Sequence, residues 1–139
     1  MTAPALHVGL VACSRIKAER ARPAREMYVS PLFRAARAYA ERHYAQWLIL
    51  SARHGVVEPD TVVDPYDLSL RRLSAREREL WGNRVAVELT DRFPAGTVLW
   101  LHAGVLYRDA IASVVPHQVR CPVASLGIRE QLAWYRRHA

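Results

Sequence analysis

The stretch "LHVGLVAC", Leu6–Cys13, decides the fold of this chain. Its residues are apolar apart from His7, and Val8 and Val11 are β-branched. Near-continuous apolar runs of this kind are typical of strands that are covered on both faces, as in parallel sheets. The stretch therefore predicts a buried β-strand near the start of the chain.

A polar loop and then a helix are predicted after this strand. In "SPLFRAARAYAERHY", Ser30 is a favourable N-cap, and Pro31 occupies the first helical position, where no N–H is needed. Apolar residues from Leu32 to Tyr39 then recur at helical spacing. A strand followed by a helix is the first half of a parallel crossover unit.

The same alternation continues to the end of the chain. Ser74 and Glu77 form a capping box that opens a second long helix, whose expected apolar positions include Leu80 and Val87 and which ends before Pro94. The other predicted elements are strands at Trp47–Ala52, Thr97–Ala103 and around Val119–Cys121, and helices at Gly104–Ser113 and Ile128–Arg137.

This order of elements predicts the fold class. Regular alternation of strand and helix implies parallel pairing with helices on both faces of the sheet. We therefore expect one α/β domain over residues 1–139, a small three-layer sandwich with a mainly parallel sheet of about four strands. A chain of 139 residues is long enough to bury a single hydrophobic core.

The charge of the chain favours phosphate-bearing partners without proving one. The net charge is +7, and 20 residues are lysine or arginine. A basic balance attracts nucleic acids and nucleotides. Arginine supplies all of these residues except Lys17, which is also typical of GC-rich coding, so charge alone leaves nucleic-acid binding open.

Other features exclude some classes of protein. No apolar run approaches the roughly 18 residues of a membrane span, so no membrane partner is expected. The N-terminus lacks a basic region before its apolar residues, so we expect no secretory signal and a cytoplasmic location. Cys13 and Cys121 show no ligand spacing, and neither a metal nor a cofactor is predicted. A homo-oligomer or a partner protein stays open.

Polar residues follow three of the predicted strands. They are Cys13-Ser14, the turn Ser51–Gly55, and His102-Ala103-Gly104. Ligands of open α/β sheets bind at the carboxyl ends of the strands, so these segments are expected to share one edge. The second of them opens a long segment that runs to Leu70 and has no clear period, and we interpret this loop as a wall or lid of a pocket.

Four residues are candidates for catalysis, each with a structural alternative. Cys13 is either a small core residue or an activated thiol. His54, before Gly55, either caps a turn or acts as a general acid or base. Asp64 and Asp67 are either paired with arginine or placed for chemistry.

The candidate substrate-binding residues lie at a strand end or in the loop or helix that follows a strand. His102 has a core histidine as its alternative, and Tyr28 and Tyr107 have half-buried packing. The full set is Ser14, Lys17, Tyr28, Ser30, Ser51, Arg53, Tyr66, His102, Gly104 and Tyr107.

Four stretches resemble a bacterial and phage family described as a domain of unknown function. They are "ACSRIK", "MYVSPLFRAARAYAE", "WLILSARHGVVEPDTVVDPYDLSL" and "LGIREQLAWY". The last stretch departs from the family pattern, since Arg129 and Glu130 stand where uncharged residues are usual. The first three are also similar, more distantly, to the α/β domain appended to archaeal tRNA-guanine transglycosylases, which has a uracil-DNA-glycosylase-like fold.

The distant resemblance implies a nucleobase, nucleotide or nucleic-acid ligand. Carried over by position, it points to Cys13, Ser14, Lys17, Tyr28, Ser30, Ser51, His54, Asp64, Tyr66 and Asp67. We therefore expect an enzyme that cleaves or exchanges an N-glycosidic bond. Asp64 or Asp67 would activate water or stabilise positive charge on the sugar, and Tyr66 would stack on the base.

Two alternatives to an enzyme stay open. One is a non-catalytic nucleic-acid-binding module, in which arginines of "RRLSARERELWGNR" and "YRRHA" contact phosphates. Those arginines could equally form intrahelical pairs with glutamates on a solvated helix face. The other is a subunit of a DNA or tRNA modification system.

Overall fold

A computed structural model describes residues 4–139 of the chain. Residues 1–3, part of the segment in which no secretory signal is expected, lie outside the described residues. The strands are β1 (His7–Ala12), β2 (Arg22–Pro23), β3 (Gln46–Ser51), β4 (Gly55–Val57), β5 (Val62–Val63), β6 (Val98–His102) and β7 (Gln118–Arg120). The helices are α1 (Ala24–Met27), α2 (Pro31–His43), α3 (Ala75–Arg92), α4 (Val105–Ile111) and α5 (Ile128–Arg137), with a 3₁₀ turn at Leu70–Arg72.

The α/β class and the mainly parallel sheet are confirmed. The main sheet has the order β4-β3-β1-β6-β7, with β1 at its centre. β1 pairs in parallel with β3 and β6, so that Leu10 aligns with Leu48 on one side and with Leu101 on the other. β7 adds a further parallel pair at one edge. The carboxyl ends of β1, β3 and β6 therefore lie at the same edge of the sheet.

The expected number of about four strands is not confirmed, because the main sheet has five. β4 pairs antiparallel with β3, with Ile49 aligned to Val57. The turn before β4 ends at Gly55, whose φ of 72° lies in the left-handed region that glycine tolerates. This turn reverses the chain directly after β3, so the loop that was expected to be irregular begins with a buried edge strand.

The rest of the loop is also ordered by pairing. β5 pairs antiparallel with β2, with Arg22 aligned to Val63. Arg25 forms an ion pair with Asp60, which adds a second connection between the two segments. The segment after β4 is therefore tied to the segment after β1, and both pass the carboxyl edge of the sheet.

Residues of β1 on its two sides belong to two different hydrophobic clusters. Val8 and Leu10 belong to a cluster with buried residues of α3 and α4, whereas Val11 belongs to a cluster with residues of α2 and α5. Successive strand residues point to opposite sides. The helices therefore bury their apolar faces on opposite sides of β1.

Both predicted helix N-caps, Ser30 and Ser74, are confirmed. The Ser30 side chain accepts a hydrogen bond from the backbone N–H of Phe33, and Ser74 and Glu77 form the capping box of α3. Leu80 and Val87, expected among the apolar positions of α3, are 50% and 61% exposed. Other residues of α3, among them Trp81, supply its buried face.

Among the described residues 4–139, none of the helices combines the length and the apolar character needed to traverse a bilayer.

Close packing between α3 and α4 depends on Gly82. A Cβ at this position would overlap the Ala110 carbonyl oxygen, which belongs to backbone and cannot rotate away. Alanine is otherwise favoured over glycine inside a helix by about 1 kcal/mol. Alanine at this position will therefore destabilise the protein if the two helices are as close as in the structure, and stabilise it if they are not.

We expect Gly82→Ala to lower the free energy of unfolding by about 1–3 kcal/mol through overpacking. Chemical denaturation followed by circular dichroism measures the change. The control is Gly96→Ala, where an added Cβ meets no atom within 4 Å. A Gly82→Ala variant that is as stable as the wild-type protein or more stable would contradict the close α3–α4 contact.

Candidate functional site

A hydroxyl relay centred on Tyr66 lies at the end of β3. The Tyr66 Oη atom is 2.6 Å from Ser51 Oγ and 2.7 Å from Tyr28 Oη. Ser51 Oγ also accepts hydrogen bonds from the backbone N–H groups of Arg53 and His54, at 3.3 and 3.0 Å. With both lone pairs of Ser51 Oγ occupied, Ser51 must donate to Tyr66. Either phenol can donate in the bond between Tyr66 and Tyr28.

Burial keeps the phenols of this relay protonated. Tyr28 is 1% exposed and Tyr66 is 9% exposed. Burial raises the pKa of Tyr28 to about 12, and it raises the pKa of Tyr66 further. Both hydroxyls therefore act as hydrogen-bonding groups at neutral pH and fix the position of the Tyr66 ring.

Lys17 lies over the ring of Tyr66. Its Nζ atom is 4.4 Å from the Tyr66 ring centroid and 6.0 Å from that of Tyr28. The backbone of Lys17 forms a β-bridge with Tyr28, and Nζ donates to the Arg15 carbonyl at 3.3 Å. Burial lowers the pKa of the Lys17 amine, while Cys13 and Asp67 act in the opposite direction.

Cys13 connects the end of β1 to α4. Its Sγ atom lies 3.3 Å from Tyr107 Oη, and its backbone N–H donates to the Leu50 carbonyl at 2.8 Å. The thiol is half-buried and packs against both hydrophobic clusters, so the core alternative for Cys13 has support. Burial raises the pKa of Tyr107, whose phenol therefore stays protonated beside the sulfur at neutral pH.

His54 completes the cluster from the turn between β3 and β4. Its half-buried ring packs at right angles to the ring of Tyr66, with the two centroids 5.3 Å apart. Its carbonyl accepts a hydrogen bond from Arg84 at 2.7 Å. Burial lowers the pKa of His54, with Arg53 and Arg84 acting in the same direction and Asp64 opposing them. A neutral imidazole, the form a general base requires, is therefore favoured at neutral pH.

The two candidate carboxylates lie at the outer side of this cluster. Asp67 is 93% exposed and forms an ion pair with Arg72 at 2.9 Å. Asp64 is also exposed and acts on His54 through its charge. Exposed ion pairs contribute little stability, so Arg72 does not prevent Asp67 from contacting a ligand.

Several predicted site residues make local structural contacts instead of joining the cluster. Ser14 Oγ donates to the Ile16 carbonyl at 2.8 Å, and Ser30 caps α2. Arg53 is exposed, and its carbonyl accepts a hydrogen bond from Arg84 at 3.2 Å. Gly104 is the exposed N-cap residue of α4. The side chains of Ser14, Ser30 and Arg53 make none of the contacts that hold the Tyr66 cluster together.

His102 belongs to a separate aromatic cluster. Its Nε2 atom is 2.6 Å from Tyr44 Oη, and its Nδ1 atom is 2.8 Å from Tyr135 Oη. The residue is 4% exposed. The alternative of a hydrogen-bonded core histidine therefore describes its contacts, and the structure does not bring it to Cys13, Lys17 or Tyr66.

Two residues outside the predicted set of site residues support the cluster. Trp81 Nε1 donates to the Ser51 carbonyl at 3.0 Å, and the Trp81 ring meets Tyr107 edge to face. Arg84 donates to the carbonyls of both Arg53 and His54. Both lie on α3, and their helical spacing of three residues is the only sequence signal that links them.

A groove between two helices lacks this chemistry. A groove of about 430 Å³ lies between α2 and α5, lined by residues that include Ala35, Tyr39, Leu132 and Arg136. None of the predicted site residues lines it. Within residues 4–139, no three His, Cys, Asp or Glu side chains are grouped so that they could hold a metal ion.

The fold defines an α/β protein with a mainly parallel sheet, and the polar cluster where its strands end is a candidate site. Residues 8–137 match the family described as "Family of unknown function (DUF6884)", and the chain belongs to this family. A segment of 47 residues is 40% identical to uncharacterized protein YfjM of Bacillus subtilis (strain 168). That segment is 33% of this chain and 31% of the relative. The similarity to domains of tRNA-guanine transglycosylases stays a prediction.

We expect the buried His102 to make the protein sensitive to acid. Burial, together with the nearby His43, lowers the pKa of His102 to about 4 from the usual 6.5. The unfolded chain therefore takes up a proton before the folded protein does. Stability is complete above pH 6.5 and falls by up to about 3 kcal/mol as the pH drops toward 4.

Urea denaturation at pH 7, 5.5 and 4.5 measures this loss. His102→Gln removes the titrating group and should flatten the decrease, whatever its effect on stability at pH 7. An equally steep decrease in His102→Gln would assign the acid sensitivity to other groups.

Proposed function

We propose that the protein is an enzyme that acts on a nucleobase, nucleoside or nucleotide and cleaves or exchanges its N-glycosidic bond. The supporting observation is the convergence of Cys13, Lys17, His54 and the Tyr66 relay beside the carboxyl ends of β1 and β3. This is the edge at which open α/β sheets bind ligands. The choice of a nucleobase-containing substrate comes from the resemblance to transglycosylase domains.

The acidic residues would act on the sugar. Departure of a base leaves positive charge on the ring oxygen and C1′, which a carboxylate stabilises. Asp67, and Asp64 beside His54, are both exposed to an incoming substrate. The neutral imidazole of His54 would take a proton from the attacking water or nucleophile.

The proposal does not keep the base-stacking role that was expected for Tyr66. A ring that stacks on a base needs an open face, but Tyr66 is 9% exposed and one of its faces lies under Lys17. Its hydroxyl is held on both sides by Ser51 and Tyr28. Tyr66 would therefore be a positioning residue that fixes Lys17 and His54, and another group would contact the base.

The first experiment looks for release or exchange of a base. Nucleosides, nucleotides, short DNA duplexes and tRNA are incubated with the protein, and free bases are measured by mass spectrometry. We expect Asp64→Asn or Asp67→Asn to lower the rate about 100-fold or more, because each removes a negative charge that stabilises the transition state. Substrate binding should change little, because the substrate carries less positive charge than the transition state.

The matched control is Asp91→Asn. Asp91 is an exposed carboxylate in the last turn of α3, which leads to the start of β6 and thus to the opposite edge of the sheet. This variant should keep the full rate. If no substrate loses its base, or if both site variants keep the wild-type rate, the proposal falls.

The second candidate function is non-catalytic binding of nucleic acid, which the net charge of +7 favours. Many of the arginines are already engaged, however. On and before α3, Arg76 pairs with Glu79 and Arg84 with Glu88, and Arg78 donates to the Leu73 carbonyl. These contacts agree with the intrahelical alternative and leave less of this surface for phosphates.

Salt dependence distinguishes the two functions. A protein that neutralises several phosphates loses affinity steeply with salt, by about 10³-fold or more for six contacts between 50 and 200 mM. We expect a shallower dependence, since the proposed site binds a small part of the substrate. Fluorescence anisotropy with unrelated DNA and RNA sequences at both salt concentrations measures it. A steep loss that is equal for all sequences, without base release, would favour the binding module.

A further inference from the structure

Lys17 is chemically unique in this chain. Of the 20 lysine and arginine residues, it is the single lysine. Arginine is always protonated in proteins and has no lone pair to give, whereas a lysine amine becomes a nucleophile when it loses its proton. Among the basic side chains, a nucleophilic amine is therefore available at this one position, and that position lies inside the candidate site.

The structure holds the amine in a defined place. Nζ lies 4.4 Å over the ring of Tyr66, whose hydroxyl is fixed by Ser51 and Tyr28. The backbone bridge between Lys17 and Tyr28 fixes the other end of the side chain. The amine is thus positioned by an aromatic face and by backbone pairing, both of which limit its motion.

The surroundings of the amine are those of a nucleophile rather than of an ion-pair partner. Within residues 4–139, no carboxylate lies within 4.0 Å of Lys17 Nζ. Burial lowers the pKa of the amine, and the charges that oppose this effect come from Cys13 and Asp67. A lysine that is partly buried without a bound carboxylate is easier to deprotonate than a free one. The Tyr66 face and the Arg15 carbonyl stabilise the protonated amine and hold it in place before the proton is lost.

We propose that Lys17 forms an imine with the sugar carbon C1′ of the substrate, an inference that takes its substrate class from the proposed function. The neutral amine attacks C1′ as the bond between C1′ and the base breaks. The electron pair of that bond leaves with the base, which gains a proton, while Nζ loses one. The C1′–O4′ bond then opens, O4′ is protonated, and a double bond forms between C1′ and Nζ. Water adds to the imine and releases the sugar and the free amine.

Asp67 and His54 fit this sequence. Asp67 is close enough to raise the pKa of Lys17 through its charge, so the same carboxylate would stabilise the positive charge on C1′ and on the iminium nitrogen. His54, which shares the Tyr66 ring with Lys17, would carry protons between Nζ, O4′ and water.

Borohydride reduction tests the imine directly. The full chain is incubated with a substrate that loses its base, sodium borohydride is added, and the peptides are analysed by mass spectrometry. We expect the mass of the reduced sugar on the peptide that contains Lys17. Because the chain has one lysine, the α-amino group is the other aliphatic amine, and it lies on a different peptide.

The matched variants are Lys17→Arg and Lys17→Ala. Lys17→Arg keeps the positive charge and the contact with Tyr66, so a lysine that serves as a phosphate-binding cation would be largely replaced by it. Arginine cannot replace a nucleophilic lysine. If Lys17 is the nucleophile, base release should fall to the background rate in both variants. Unchanged thermal unfolding of Lys17→Arg shows that the fold is intact.

A second probe separates this inference from the proposed function. An oligonucleotide with an abasic site presents a free C1′ aldehyde, and cyanoborohydride traps its imine without any base release. An adduct on Lys17 with this probe supports the inference, even if no base is released from other substrates and the proposed function fails. Base release by the wild-type protein and by Lys17→Arg, with no adduct on Lys17, overturns the inference and leaves the proposed function standing. Absence of both base release and adduct overturns both.

Discussion

Parallel pairing of β1 with β3 and β6 is the constraint on which the site depends. Aligned hydrogen-bonding ladders force three strands that are far apart in sequence to end at one edge. The β1–β3 ladder continues one step past the strand, through the bond from Cys13 N–H to the Leu50 carbonyl. The thiol of Cys13 and the hydroxyl of Ser51 are therefore brought to the same edge by backbone geometry, before any side-chain contact is made.

Ser51 connects the end of β3 to the side chains of the cluster. Its carbonyl accepts from Trp81, and its hydroxyl accepts from the turn at Arg53 and His54 and donates to Tyr66. A fully buried hydroxyl with every hydrogen bond made has one orientation, because any other would leave a polar group unpaired. The direction of the bond from Ser51 to Tyr66 follows from these contacts.

The strands and helices could largely be predicted from the sequence, since apolar runs and caps are local signals. Trp47–Ala52 was expected where β3 covers Gln46–Ser51, and Ser74 begins α3 as its capping box indicates. β4 could not be predicted, because three residues are too few to show a period and their pairing depends on the backbone of Gly55.

The candidate site was predicted in part, and the limit was side-chain contacts between distant segments. The sequence places His102 at a strand end but does not show which partners its ring meets there. In the structure His102 aligns with Val11, and its two ring nitrogens are hydrogen-bonded to Tyr44 and Tyr135 rather than to the Tyr66 cluster. The sequence also could not show that Tyr66 is buried under Lys17, since this contact joins the loop after β1 to the loop after β4.

The fifth strand has a consequence for self-association. A long, unpaired border strand is a template to which another chain can add. Here the six-residue β3 is covered by β4, and the opposite border is β7, so both outer strands are three residues long. Two copies joined border to border would share a ladder of three residues, which is too short to hold a continuous intermolecular sheet. If the protein forms a dimer, its helices are therefore better suited to the interface than its strands.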